Sequence, residues 1–407
     1  MIWDVIIIGA GAAGLFAAAN IDDSRNVLML EKSKQPGIKL CMTGGGQCNL
    51  TNAESIKQFL PKYNQGNGIR KILYQFNNQH LMQYFENRGI SLAIREDGKV
   101  FPESMRATTI RDFLVKELKS RNHTLVTGEE VTGIRWCEEL KTFTVKTDKN
   151  KYTSKKLIVA TGGKSYPKTG SDGKMLEMIG EYGVLVKDFE PGLTPVRVEG
   201  FNYRNLAGIV LTSCQITIRN NHTKQINKSG ELLFTHKDLS GPLILNNSRH
   251  MGVGTELEFD FVKHLKLEEV IVAIQRTIES HSKKSIKKVF ELSLPIPNKL
   301  KEQILTKANF DKEKKASEVN HSTIHQLANL CKAYKTTVMD KSGFEKAMIS
   351  TGGVKLSEVW TEDLSWKNNR QLYFIGEILD VDGETGGYNL QFAFSSAKKV
   401  ASSLLFD

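Results

Sequence analysis

Val5-Ile6-Ile7-Ile8-Gly9-Ala10-Gly11-Ala12-Ala13-Gly14, near the amino terminus, decides the fold. Val5 to Ile8 is a continuous apolar run with no alternation, which suits a parallel strand covered on both faces. Gly9-x-Gly11-x-x-Gly14 then leads into Leu15-Phe16-Ala17-Ala18-Ala19, a segment of high helix propensity, so strand, tight turn and helix come in dinucleotide-fold order. Gly9 permits the turn, Gly11 lets the backbone approach a pyrophosphate, and Gly14 allows close helix–strand packing. Val27-Leu28-Met29-Leu30 reads as the second strand. Glu31 ends it about 20 residues on, where a carboxylate can accept ribose hydroxyl bonds.

Outward from that start, 407 residues with 40% hydrophobic and 25% charged content give a globular chain with room for two or three domains. Asp4 and the glycine turn argue against a secretory signal, so none is expected, and no run of about 18 apolar residues suggests a membrane span. Five cysteines at 41, 48, 137, 214 and 331 are few, odd in number and scattered, so a cytoplasmic setting is expected rather than a disulfide scaffold. The net charge is +11. Between Lys263 and Lys346, 17 Lys+Arg oppose 10 Asp+Glu, giving +7. Few aromatics and no nucleic-acid motif accompany this charge, so a solvated basic helical face is expected, with nucleic acid not expected as a partner.

Three further stretches carry chemistry. Lys39 to Asn52 contains Gly44-Gly45-Gly46, which a helix or strand interior would not tolerate and which suits backbone pressed against a flat ligand. Leu157 to Ala160 reads as a strand leading into Thr161-Gly162-Gly163, and ligands of open α/β sheets gather at such strand ends. Leu372 to Ile375 reads as another strand, followed by Gly376-Glu377, the loop Ile378 to Gly387, and a helix from Tyr388 to Leu405. N–H groups at its start, around Asn389 to Gln391, suit negative charge on a ring oxygen. Asp380 is placed to bind a sugar-alcohol hydroxyl. Cys41 and Cys48 lack metal-ligand spacing, and Asp380-x-Asp382 lacks that of a calcium loop, so no metal is expected. No dedicated general base stands out. His236, in the polar run Thr235-His236-Lys237-Asp238, and Tyr166 are the weak candidates for acid or base.

Gly9-x-Gly11-x-x-Gly14, Lys39 to Asn52, Phe234-Thr235-His236 with Ser240-Gly241-Pro242, and Gly376-Glu377-x-x-Asp380 to Gln391 together resemble the BaiN-like, HI0933-like (aminoacetone oxidase-type) family of bacterial FAD-dependent oxidoreductases. The resemblance spans nearly the whole chain. It implies an α/β two-dinucleotide-binding-domain flavoprotein fold, with a discontinuous Rossmann-like FAD domain and an inserted β-barrel-like plus helical domain. The FAD domain would take 1–190 and 345–407, and the insert 191–344, with its β part at about 191–262 and its helical part at about 263–344. By the same carry-over, Gly9, Gly11, Ala13 and Gly14 hold the pyrophosphate, Glu31 with Lys32 the adenosine ribose, and Val131 the adenine side. Lys39, Thr43, Gly44, Gly45, Gly46, Cys48, Asn49 and Thr51 would meet Gly386, Gly387, Tyr388, Asn389, Leu390 and Gln391 around the flavin. Ala160, Thr161 and Gly162 would also bind the cofactor, with Gly376, Glu377 and Asp380 along the ribityl-phosphate arm. Members often carry Arg where this chain has Gln47, which puts any anion contact there in question.

The expected activity is hydride transfer through non-covalent FAD on a small organic substrate, as oxidase or reductase. NAD(P)H is a possible transient reductant, although no second Gly-x-Gly-x-x-Gly provides a domain for it. A flavin-dependent nucleic-acid modification factor and a non-catalytic flavin-binding regulator are the alternatives. Substrate, electron acceptor and oligomeric state are not legible.

Overall fold

The computed structural model describes residues 1–219 and 225–406; residues 220–224 of the expected insert and Asp407 of the expected C-terminal segment lie outside the described residues. The chain divides into two compact units, Met1–Pro191 with Ala347–Asp407, and Gly192–Lys346.

The first unit is built on a parallel sheet. Strand β1 (Ile2–Ile8) lies between β2 (Val27–Glu31) and Lys151–Val159, with Ile6 opposite Leu28 on one side and Leu157 on the other. Thr124–Thr127 extends the sheet beyond β2, and Asn369–Phe374 extends it beyond Lys151–Val159, with Tyr373 opposite Ile158. Val5 to Ile8 and Val27 to Leu30 are all buried, as strands covered on both faces require. The strand from the last part of the chain therefore sits two places from the first, with Lys151–Val159 between them. Helix α1 (Ala12–Ala18) is covered by the C-terminal helix Tyr388–Ser403, and Phe16 meets Phe394 at 4.9 Å between ring centroids. An antiparallel meander, Val131–Cys137 to Thr142–Thr147 to Lys151–Val159, leaves the sheet on one side.

The second unit contains a closed antiparallel barrel. Its order is Val196–Val198, Leu239–Ser240, Ile226–Phe234, Val210–Arg219, Glu256–Asp260 and Tyr334–Lys341, which pairs back to the first strand. Helices Leu267–Ser280, Ile286–Ser293, Asn298–Lys307 and His321–Lys332 share a core with it. Tyr334–Lys341 corrects the expectation of a helical segment running to 344. That stretch alternates, with Tyr334, Thr336 and Val338 buried, and it closes the barrel instead.

One buried titratable group gives the first unit a pH dependence. His123 is pushed below its usual pKa by burial, while the Ile21 carbonyl 3.3 Å from Nε2 opposes the shift. The unfolded chain thus takes up the proton first. This part of the stability is present above the unfolded pKa near 6.5 and is lost as pH falls through the lower folded value. Urea unfolding at pH 7.5 and 5.5 checks it: His123→Gln is expected to flatten the pH dependence, and an unchanged dependence would refute the assignment.

Candidate functional site

The sheet directs its strand ends at one cavity of about 470 Å³ in the first unit. Its walls include Gly9, Gly11 and Ala13 after β1, and Glu31 and Lys32 at the end of β2. Lys39 and Thr43, Val131, Ala160 to Gly162, Glu377, Asn389 and Leu390 complete the sequence-selected residues that line it. Gly14, Gly44 to Gly46, Cys48, Asn49, Thr51, Gly376, Asp380, Gly386 to Tyr388 and Gln391 are not among the lining residues.

The glycines of the first turn answer to different neighbours. Gly9 has φ +100°, and a Cβ there would lie 2.7 Å from the Ala160 carbonyl oxygen. At Gly14 a Cβ would fall 2.0 Å from the Gly9 carbonyl oxygen, so backbone packing demands glycine. Gly11 differs: its φ is −82° and a Cβ there would meet nothing within 4 Å. Protein packing makes no demand for glycine at 11, whereas a phosphate lying on the backbone does.

Glu31 turns its carboxylate back on the turn, accepting from Ala10 N and Ser33 N at 2.8 Å each. At another wall, Lys39 Nζ lies 2.7 Å from Glu377 Oε2 and 2.5 Å from Ser165 Oγ. Glu377 Oε1 also accepts from Ser350 N at 2.7 Å, and Ser350 Oγ accepts from Lys164 N and Ser165 N at 2.7 and 3.0 Å. Four chain segments are thus tied at one point. Sequence reading overlooked Ser350 and the strand Ile349–Val354 that carries it; the only signal was Thr351-Gly352-Gly353, an echo of Thr161-Gly162-Gly163.

The C-terminal helix begins behind Gly387, φ +100°, where a Cβ would lie 2.5 Å from the Thr51 carbonyl carbon. No side chain caps this end and no acidic residue occupies its first turn, so it faces the site with free N–H groups and positive dipole. Asn389 fastens the preceding loop through Gly383 N and O, at 2.8 and 2.9 Å. Gln391 is internal: Thr51 Oγ1 donates to its Oε1 at 2.7 Å, and its Nε2 donates to Ser395 Oγ at 2.9 Å.

Gly44, Gly45 and Gly46 all have positive φ, and Gly44 and Gly45 are exposed. Beside them, Arg95 donates to Gln47 Oε1 at 2.7 Å and lies 4.1 Å over the Phe101 ring, so a cation stands near this turn although Gln47 is neutral. Burial pushes the Cys48 thiol up to about 12 and also raises Cys41, and both are free. Of five cysteines, Cys48, Cys214 and Cys331 are buried. A thiol-reactive dye should therefore label at most Cys41 and Cys137 in the native protein and all five after unfolding; a Cys41–Cys48 disulfide in isolated protein would contradict this.

Tyr166, φ +52°, sits in a loop beside the cavity walls. His236 is exposed at the tip of a turn in the second unit, closed by Thr235 N to Asp238 O at 2.9 Å. Among the described residues, no group of three or more His, Cys, Asp or Glu is placed to hold a metal ion. No described helix is long and apolar enough to cross a membrane.

Among the described residues, the buried polar atoms without a hydrogen-bond partner include Thr161 Oγ1 on the cavity wall and Asp380 Oδ1. Such atoms are costly unless something else satisfies them. With the open face of Gly11, they fit a polar ligand carrying phosphate and hydroxyl groups.

Residues 3–403 match the HI0933-like protein Rossmann-domain family. The chain belongs to the HI0933-like family. Its full-length relatives include the 3-dehydro-bile acid Δ(4,6)-reductase of Clostridium scindens, 28% identical and aligned over 96% of each chain. The ribosomal RNA dihydrouridine synthase of Escherichia coli is 29% identical over 99% of this chain and 98% of its own. Among solved structures, the 3-ketosteroid-Δ4-(5α)-dehydrogenase of Rhodococcus jostii RHA1 shares the fold with a TM-score of 0.51 at 13% identity, over 98% of this chain and 96% of that one. This HI0933-like protein is an FAD-dependent oxidoreductase with a Rossmann-like FAD-binding domain.

Proposed function

We propose that the protein is a reductase that saturates a ring carbon–carbon double bond conjugated to a carbonyl group in a small organic substrate. The similarity to the bile acid Δ(4,6)-reductase over 96% of both chains carries this reading. FAD would rest its pyrophosphate on Gly11, its adenosine toward Glu31 and Val131, and its ring toward Thr43, Asn389 and Leu390. Bound and reduced, FAD supplies a hydride. The helix start at Tyr388 to Leu390 places fixed positive dipole at that end of the cavity, favouring negative charge there. Lys39, held by Glu377 and Ser165, adds an oriented cation to the same walls.

Net bookkeeping requires a hydride at the β carbon and a proton at the α carbon, with NAD(P)H proposed as the source of the electrons. The test is anaerobic: reduce the protein with NADPH or NADH, mix it with a cyclic enone, and follow flavin absorbance and product mass. Reoxidation under argon with a gain of two hydrogens is expected. Reoxidation by dioxygen alone would make the protein an oxidase and overturn the reading.

A second reading takes uracil in RNA as the acceptor, since its ring double bond is also conjugated to a carbonyl. The +7 surplus between Lys263 and Lys346 favours it, together with the name of the Escherichia coli relative. A uridine-containing RNA as acceptor in the same experiment separates the two.

A further inference from the structure

The adenosine end of the cavity is closed by charge. Lys32 Nζ, at the exit of β2, lies 2.9 Å from Asp172 Oδ2. Lys174 Nζ reaches the same oxygen at 3.6 Å and Glu130 Oε1 at 3.2 Å. All four residues line the cavity, and they come from three segments distant in sequence. The loop that carries Asp172 also has left-handed backbone at Gly170 and Gly173, with φ of +98° and +83°. Beyond the ion pairs, it meets the β2 exit through a long bond from Ser33 Oγ to Thr169 O at 3.4 Å. Burial would raise the Asp172 carboxyl, but Lys32, the Lys174 backbone N–H and the Lys174 ammonium together hold it below its usual value.

We infer that the Lys32–Asp172–Lys174–Glu130 chain is a cofactor-specificity and retention device, fixing the loop at 169–174 over the adenosine half of FAD. Asp172 is a positioning residue in it: it acts through Lys32, the neighbour of Glu31. The inference rests on the FAD orientation proposed above. A clasp at this end grips FAD and has nothing to grip in FMN, which lacks the adenylate half. The Lys32–Asp172 pair is part-buried and Lys174 is exposed, so their effect is modest and salt-sensitive.

The experiment compares FAD and FMN affinities, and FAD dissociation rates, for reconstituted full-length protein, Asp172→Asn, Asp172→Glu and Glu31→Gln. Asp172→Asn is expected to release FAD about three- to tenfold faster at low salt, to leave FMN affinity unchanged, and to match the parent in 1 M salt, where the pairs are screened. Asp172→Glu should recover part of the loss. Unchanged FAD release, or equal weakening of FAD and FMN, would overturn the inference, the latter by showing a general structural role. Should Glu31→Gln also leave FAD binding unaffected, the orientation itself fails; weakening by Glu31→Gln alone leaves the orientation standing and removes the clasp.

Discussion

Gly11→Ala is expected to fold normally but to bind FAD weakly, whereas Gly14→Ala is expected to lose flavin and stability together. A Cβ on Gly11 enters space empty of protein atoms within 4 Å, so the folded state feels only the small cost of alanine at a helix N-cap. The same methyl stands where a pyrophosphate must approach backbone. Loss of charge-assisted hydrogen bonds there, about 1.5–3 kcal/mol, weakens FAD by roughly 10- to 150-fold. At Gly14 the added Cβ would sit 2.0 Å from the Gly9 carbonyl oxygen, forcing α1 off β1 at an overpacking cost of about 1–3 kcal/mol or more. Thermal melting with and without FAD, alongside FAD titration, reads both effects. If Gly11→Ala melts as low as Gly14→Ala, or keeps parental FAD affinity, the assignment of separate roles is wrong.

Asp380→Asn is expected to move apo stability and cofactor affinity in opposite directions. Asp380 is 8% exposed and its Oδ1 has no partner in the protein. A buried carboxylate oxygen left unsatisfied costs the free protein stability, so replacing it by a neutral amide of equal size raises the apo melting temperature. In the proposed FAD complex the carboxylate would accept a hydroxyl. Losing that charged hydrogen bond weakens FAD by about 1.5–3 kcal/mol, roughly 10- to 150-fold. A fall in apo stability would show that Asp380 serves the fold rather than the ligand.

Legibility followed the physical character of each segment. Val5 to Ile8, Val27 to Leu30, Leu157 to Ala160 and Leu372 to Ile375 are uniformly apolar because each lies within a covered parallel sheet, and unbroken apolar runs survive without context. The barrel is harder to see. Ile226–Phe234 contains Asn227-Lys228-Ser229-Gly230-Glu231, a polar run that reads as a loop, yet it pairs along Val210–Arg219, with Gly230 opposite Cys214. Its pairing is with sequence neighbours, but Asn227, Lys228, Ser229 and Glu231 are all exposed, so both faces of this part of the strand meet solvent and no alternation is left to read. Tyr334–Lys341 is hidden by position, following four helices before returning to the first barrel strand.

The site divides along the same line. Backbone requirements leave a trace in sequence, because glycine at 9, 14 and 387 is forced by close backbone neighbours. Side-chain partnerships do not. Nothing around Ser350 indicates that its hydroxyl accepts from Lys164 and Ser165, and nothing around Asp172 indicates Lys32, since both depend on segments more than a hundred residues apart.

The central claim is that both ends of the chain hold one FAD in the cavity after β1. The most direct measurement is a crystal structure of the FAD complex. The account predicts pyrophosphate density against Gly11, ribose at Glu31, and the flavin ring toward the start of the Tyr388–Ser403 helix. Density for FAD anywhere else, or a cavity still without it in crystals of protein that retains flavin colour, would contradict the account.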